Sequence, residues 1–126
     1  MRKKWIAKKA AFIATATAFM VVLFSAPASA AAYDAYYYNT HAQADNSPGN
    51  GAASWVWVWN GGGSGVAGGS VDYQLMDGSS GSLEVSGGYS ASRSLNSDVT
   101  QFRACQGWAR SAYYTQWLCS DWYTVP

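Results

Sequence analysis

Phe102-Arg-Ala-Cys-Gln-Gly-Trp-Ala-Arg-Ser-Ala-Tyr-Tyr-Thr-Gln-Trp-Leu-Cys-Ser-Asp-Trp-Tyr-Thr-Val125 holds both cysteines of the chain and three of its seven tryptophans. It reads as a stapled β-hairpin. Its two arms are rich in the aromatic and β-branched residues that suit strands, and the middle, Ala109 to Tyr114, is where the chain reverses. A bridge between Cys105 and Cys119 closes a loop of about fifteen residues and, in the loop-closure picture, removes roughly 3 kcal/mol of unfolded-chain entropy. Arg110 falls at or near the tip. The segment serves either as core and staple alone or as a loop that presents Arg110 to a partner.

Working outward, Trp55-Val-Trp-Val-Trp59 is the strongest strand signal, and it stops at Asn60-Gly-Gly-Gly-Ser-Gly65. A period of two puts Trp55, Trp57 and Trp59 on one face and Val56 and Val58 on the other. Three rings on one face make a core ridge or a ligand platform for stacking on sugars. The core reading is preferred, because exposing three tryptophans leaves a large apolar patch. Val71 to Met76 and Ser82 to Ser86 follow, joined by Asp77-Gly-Ser-Ser-Gly81, a hairpin connection. Val71, Tyr73 and Leu75 alternate with Asp72 and Gln74, and Leu83 and Val85 with Ser and Glu84, so one face is buried and one wet. Tyr89 to Leu95 is a weak edge strand.

The first thirty residues are an address. Met1-Arg-Lys-Lys begins a basic region, Ala10 to Phe24 is an apolar run short for a membrane span, and Ala28-Ser-Ala30 is a small-residue cleavage site. The expected product is a secreted, extracellular protein with no membrane attachment after cleavage. Five of the eight basic residues leave with that segment, and three arginines remain against seven acidic residues, a formal charge of −4. Nucleic acid is excluded as a partner, since it requires a basic surface. The remainder is one domain's worth of chain with sixteen aromatics (six Trp, nine Tyr and Phe102) and no helical apolar period. Two cysteines in an exported chain mean one internal disulfide.

Between signal and domain, Ala31 to Ala53 opens with Tyr33, Tyr36, Tyr37 and Tyr38 and continues through a polar, punctuated stretch ending Ser47-Pro-Gly-Asn-Gly-Ala-Ala53. This reads as an arm and linker whose tyrosines dock on a partner or on the domain itself; as the alternative, Tyr36 to Tyr38 form the first strand. The expected fold is all-β: a small antiparallel β-sandwich of about five to seven strands, with the disulfide in a C-terminal hairpin, preceded by a flexible aromatic arm. The divisions are 1–30 signal, 31–53 arm, 54–126 sandwich.

Catalytic constellations are weak. His41 is the sole histidine and falls in the arm, where nothing rigid would hold it against a serine and a carboxylate. With both thiols spent on the disulfide, zinc lacks ligands. Asp72, Glu84 and Asp121 are the candidates for a glycosidase pair, but no spacing selects two of them. The reading is therefore not an enzyme, with no cofactor and no metal.

Three classes remain: an adaptor docking larger secreted proteins through Tyr33, Tyr36, Tyr37, Tyr38 and Arg110; a secreted enzyme inhibitor using the Cys105–Cys119 loop; and a carbohydrate-binding module, disfavoured while the tryptophans are assigned to core. Trp108-Ala-Arg110 resembles, without reproducing, the Trp-Arg-Tyr triplet of streptomycete amylase inhibitors, which carry a second disulfide this chain lacks. The whole layout, with its basic signal, Ala-Tyr-rich arm, Gly-rich β-domain, Phe102-Arg-Ala-Cys105 and Cys119-Ser-Asp-Trp122, resembles small secreted actinobacterial proteins, and among them the adaptor subunits of umbrella toxin particles. That resemblance implies a non-catalytic bridge between a lectin-bearing subunit and a repeat-built stalk.

Overall fold

Residues 32–126, which this computed structural model describes, carry nine strands and no helix. In chain order these are β1 (Tyr33–Tyr37), β2 (Thr40–Asp45), β3 (Ser54–Asn60), β4 (Val66–Leu75), β5 (Ser80–Ser86), β6 (Ser90–Leu95), β7 (Val99–Ser111), β8 (Tyr114–Cys119) and β9 (Tyr123–Thr124). The export signal read over 1–30 lies outside the described residues.

All pairings are antiparallel and fall into two sheets. One runs β1-β2-β3-β6; the other runs β5-β4-β7, with β8 and β9 sharing the far edge of β7. That sharing follows from length: β7 has 13 residues, so its first part takes β9 at Gln101 and Phe102 while its second part takes β8 from Cys105 onward. Ser120 N–H donates to the Ala104 carbonyl at 2.8 Å where the chain passes from one to the other. Cys105 and Cys119 face each other directly in the β7–β8 register and are joined by a disulfide, as the hairpin reading expects. The core lies between the sheets: Ala42, Ala44, Val56 and Val58 from one meet Val71, Phe102 and Ala104 from the other. The alternation expected on β4 and β5 holds, with Val71 and Tyr73 buried and Leu83 and Val85 half-buried.

The chain differs from its expected layout in two places. Residues 32–53 are not an appendage: the tyrosines enter the first strand, as in the alternative reading, though that strand runs Tyr33–Tyr37, and β1 and β2 pair with each other while β2 pairs with β3 over Thr40 to Asp45. Apart from the two-residue turn at Tyr38 and Asn39, Asn46 to Ala53 is the part that connects without strand structure. Thr-His-Ala-Gln-Ala-Asp reads as polar linker, since alanine is a poor strand former, yet its period of two buries Ala42 and Ala44 and turns His41 and Gln43 outward. With β9, this hairpin brings the strand number to nine among the described residues.

The second correction is the polarity of β3. Val56 and Val58 are fully buried, whereas Trp55 and Trp57 are half-buried and Trp59 is exposed. The tryptophans therefore form the outer face. The space between the sheets already holds Phe102 and Tyr73, and at native packing density it takes valine methyls from β3, not indole rings. Close approach elsewhere is set by glycine: a Cβ on Gly69 would lie 2.5 Å from Thr40 Oγ1 of the opposing sheet.

Candidate functional site

The β1–β2 turn and the β7–β8 hairpin meet in an aromatic cluster. Tyr38 occupies the turn with φ 52°, a left-handed conformation that costs a non-glycine residue about 1–2 kcal/mol. The turn is pinned from beneath: Asn39 N–H donates to Gln106 Oε1 at 2.9 Å, and Asn39 Nδ2 donates to the Gly62 carbonyl at 3.0 Å. The Tyr38 ring meets Trp108 edge-on at 5.1 Å, with Tyr37 packed at 4.9 Å from Tyr38 and 6.3 Å from Trp108. From the other side the Arg110 guanidinium lies 5.6 Å from the Trp108 ring centre, within cation–π range, and its Nε donates to Gln116 Oε1 at 2.9 Å. Tyr38 is 74% exposed and Tyr113, in the hairpin turn, 99%.

Of the residues expected to bind a partner, the structure thus gathers Tyr37, Tyr38 and Arg110. Tyr33 and Tyr36 lie apart from them. Tyr33 turns toward Tyr123, at 5.9 Å, and packs on the core, while Tyr36 stacks on His41 at 4.3 Å. Trp108, the hub of the cluster, enters the sequence reading only through the Trp108-Ala-Arg110 triplet and is not among the expected partner-binding residues. The signal for it is the two-residue spacing to Arg110, which places both on one face of a strand.

The outer face of the four-stranded sheet is an ordered grid. Register sets Tyr36, His41, Trp59 and Ser90 in one row, Asp34, Gln43, Trp57 and Ser92 in the next, and Trp55 beside Ser94. Asp34 Oδ1 lies 2.7 Å from His41 Nε2 and accepts from Gln43 Nε2 at 2.9 Å. The hydrogen bond from His41, then that from Gln43, holds the Asp34 carboxyl below its ordinary value. His41 also meets Trp57 edge-on at 5.1 Å, so it ties the rows together instead of facing a serine nucleophile. Between Trp55 and Trp57 the face dips into a hollow of about 330 Å³ floored by Gln43, Ser92 and Ser94.

Among the described residues, Asp72, Cys105 and Cys119 bring ligand-type atoms within 4.8 Å of one another. Both sulfurs are bonded to each other, which leaves one carboxylate and no metal site. No protein-family model, curated protein or solved structure matches the chain.

Proposed function

We propose that this is a secreted, non-catalytic adaptor that docks larger secreted proteins, in the manner of the toxin-particle subunits its layout resembles. The observation that carries the reading is Tyr38: a bulky, exposed aromatic held at φ 52° against Trp108 and Arg110. A strained, outward residue is retained where its position is used, and Tyr, Trp and Arg dominate the energetic centres of protein interfaces. Tyrosine also brings much contact area for only two rotatable bonds. The outward rings of β3, with Tyr36, supply a second, separate surface, and a bridge needs two. Arg110 lies along its own hairpin, bonded to Gln116 over Trp108, which favours docking over insertion of a free arginine into an enzyme cleft.

Deleting 31–53 would remove β1 and β2 and with them Ala35, Ala42 and Ala44 of the core, so point variants make the cleaner test. Baits of the intact mature protein, Tyr38→Gly, Trp108→Ala and Arg110→Ala are used to capture partners from culture supernatant. Glycine relieves the positive φ, so Tyr38→Gly keeps the fold while deleting the ring. The adaptor reading expects Tyr38→Gly and Trp108→Ala to lose the secreted proteins that the intact bait recovers. Full recovery by both sinks it. Loss with Arg110→Ala alone, with a protease or amylase in the intact eluate, assigns the protein to the inhibitor class.

A further inference from the structure

The outer face of the five-stranded sheet, which the docking reading does not use, holds a trough of about 570 Å³. Its floor is set by register: Ser82, Asp72 and Arg103 lie side by side across β5, β4 and β7, and Glu84, Ser70 and Cys105 form the next row. Trp117 and Trp122 line it as well. From this combination of preorganised polar floor and indole walls we infer that the trough is a binding site for a neutral or amino-bearing oligosaccharide.

The floor is a constructed network. Asp72 Oδ1 accepts from Ser82 Oγ at 2.8 Å, and Asp72 Oδ2 accepts from Arg103 Nε at 3.1 Å. The same guanidinium lies 4.5 Å from the centre of the Trp122 ring. Arg103 is therefore held by a carboxylate on its Nε edge and a ring on its face, while its two Nη groups have no protein acceptor among the described residues. Glu84 also lines the trough and brings carboxylate acceptors that have no side-chain partner among the described residues. Donors and acceptors fixed at short range, beside flat apolar rings, match a sugar, whose hydroxyls both give and accept hydrogen bonds and whose C–H faces pack on indole. An apolar ligand would cover Asp72, Arg103 and Glu84 without pairing them, at the cost of desolvating charge. A polyanion would meet two carboxylates against one guanidinium.

The walls argue for a chain of sugars instead of one ring. Glu84 and Trp117 also line a neighbouring hollow of about 420 Å³, with Ala67, Ser86 and Thr115, so occupancy can continue past Trp117. The pose of that ring depends on the glycine opposite it in register, Gly107: a Cβ there would come within 3.0 Å of the Trp117 ring and 2.9 Å of Thr115 Cγ2. The indole packs over the bare backbone of Gly107. This proposal is independent of the adaptor reading, since none of its residues belongs to the Tyr38–Trp108–Arg110 cluster.

The test titrates the oxidised mature protein, by calorimetry and tryptophan fluorescence, with tetramers of β-1,4-linked glucose, mannose, N-acetylglucosamine and glucosamine. The expected result is binding of at least one, weakened about tenfold by Glu84→Gln, the size of a lost charge-assisted hydrogen bond, and lost in Trp117→Ala. Both side chains are exposed, so neither variant should disturb the core, and the conservative Trp117→Phe should restore part of the affinity. Trp57→Ala, on the opposite sheet, should bind as the parent does. No binding to any of the four at millimolar concentration overturns the proposal, as does binding unchanged in both Glu84→Gln and Trp117→Ala. Loss in Trp57→Ala with Trp117→Ala unaffected also overturns it, by moving the sugar to the other face. Glu84→Gln used as bait should still recover protein partners, so failure of one reading is distinguishable from failure of the other.

Discussion

Asn60 Nδ2 donates to Gln106 Oε1 across 3.2 Å in the interior of the sandwich, joining β3 of one sheet to β7 of the other. Neither side chain is more than 2% exposed. The same amide nitrogen reaches Thr40 Oγ1 at 2.8 Å, and Gln106 Oε1 also accepts from the Asn39 backbone. One buried glutamine oxygen thus fixes the distance between the sheets and the pose of the Tyr38 turn. Gln106→Met keeps the volume and removes the acceptor, leaving the Asn39 N–H without its partner. Unfolding in urea should show a loss of about 1–3 kcal/mol, and exchange of the Asn39 amide should quicken; a variant as stable as the parent would mean that water replaces the glutamine.

The polarity of β3 makes a paired prediction. Val58→Ala removes two buried methyl groups and should cost about 2 kcal/mol. Trp59→Ala, though a far larger truncation, should stay within about 1 kcal/mol of the parent, because the indole is 42% exposed. Melting the two variants side by side decides it. The reverse order would put the tryptophans inside.

Asp34 gives a pH dependence whose sign follows from its hydrogen bonds to His41 and Gln43. Its folded pKa lies below the ordinary 3.8. The stabilisation is therefore complete above 3.8 and is lost as pH falls through the lower folded value. The carboxylate is 43% exposed, so solvent screening limits the effect to less than about 1 kcal/mol. Melting curves of the parent and Asp34→Asn taken from pH 6 down to about pH 2 should lie apart at the upper end and converge at the lower. A constant gap throughout would detach the effect from ionisation.

The Cys105–Cys119 bridge ties β8 to β7 and, through Ser120, leads the chain into β9. Cys119→Ser should lower stability by about 2–5 kcal/mol, as for other small disulfide-bonded domains. Intact-mass measurement with and without alkylation checks that the parent has no free thiol. Because Arg103 and Trp122 flank the bridge on the same face, the Cys119→Ser variant should also quench more readily with acrylamide.

The amino-acid order by itself determined that this chain is all-β, that its C-terminal segment is a stapled hairpin, and which face of β4 and β5 is buried. Those features are written in local pattern: alternation along Val71 to Leu75, the Asp77-Gly78 reversal, two cysteines across one turn. Alternation along Trp55 to Trp59 was equally legible, but alternation has no sign when both faces are apolar. Only assembly of the two sheets, with Phe102 and Tyr73 already between them, sent the valines inward and the indoles out. Strand β2 was illegible for the opposite reason, since two alanines carry too little bulk to announce a core position until the facing sheet comes close enough to need them small. The candidate sites were decided in the same way. Asp72, Glu84 and Trp117 are distant in sequence and become neighbours through strand register, a long-range hydrogen-bonding pattern that no local window contains, and Tyr38 meets the Trp108–Arg110 pair only where the β1–β2 turn of one sheet packs against β7 of the other.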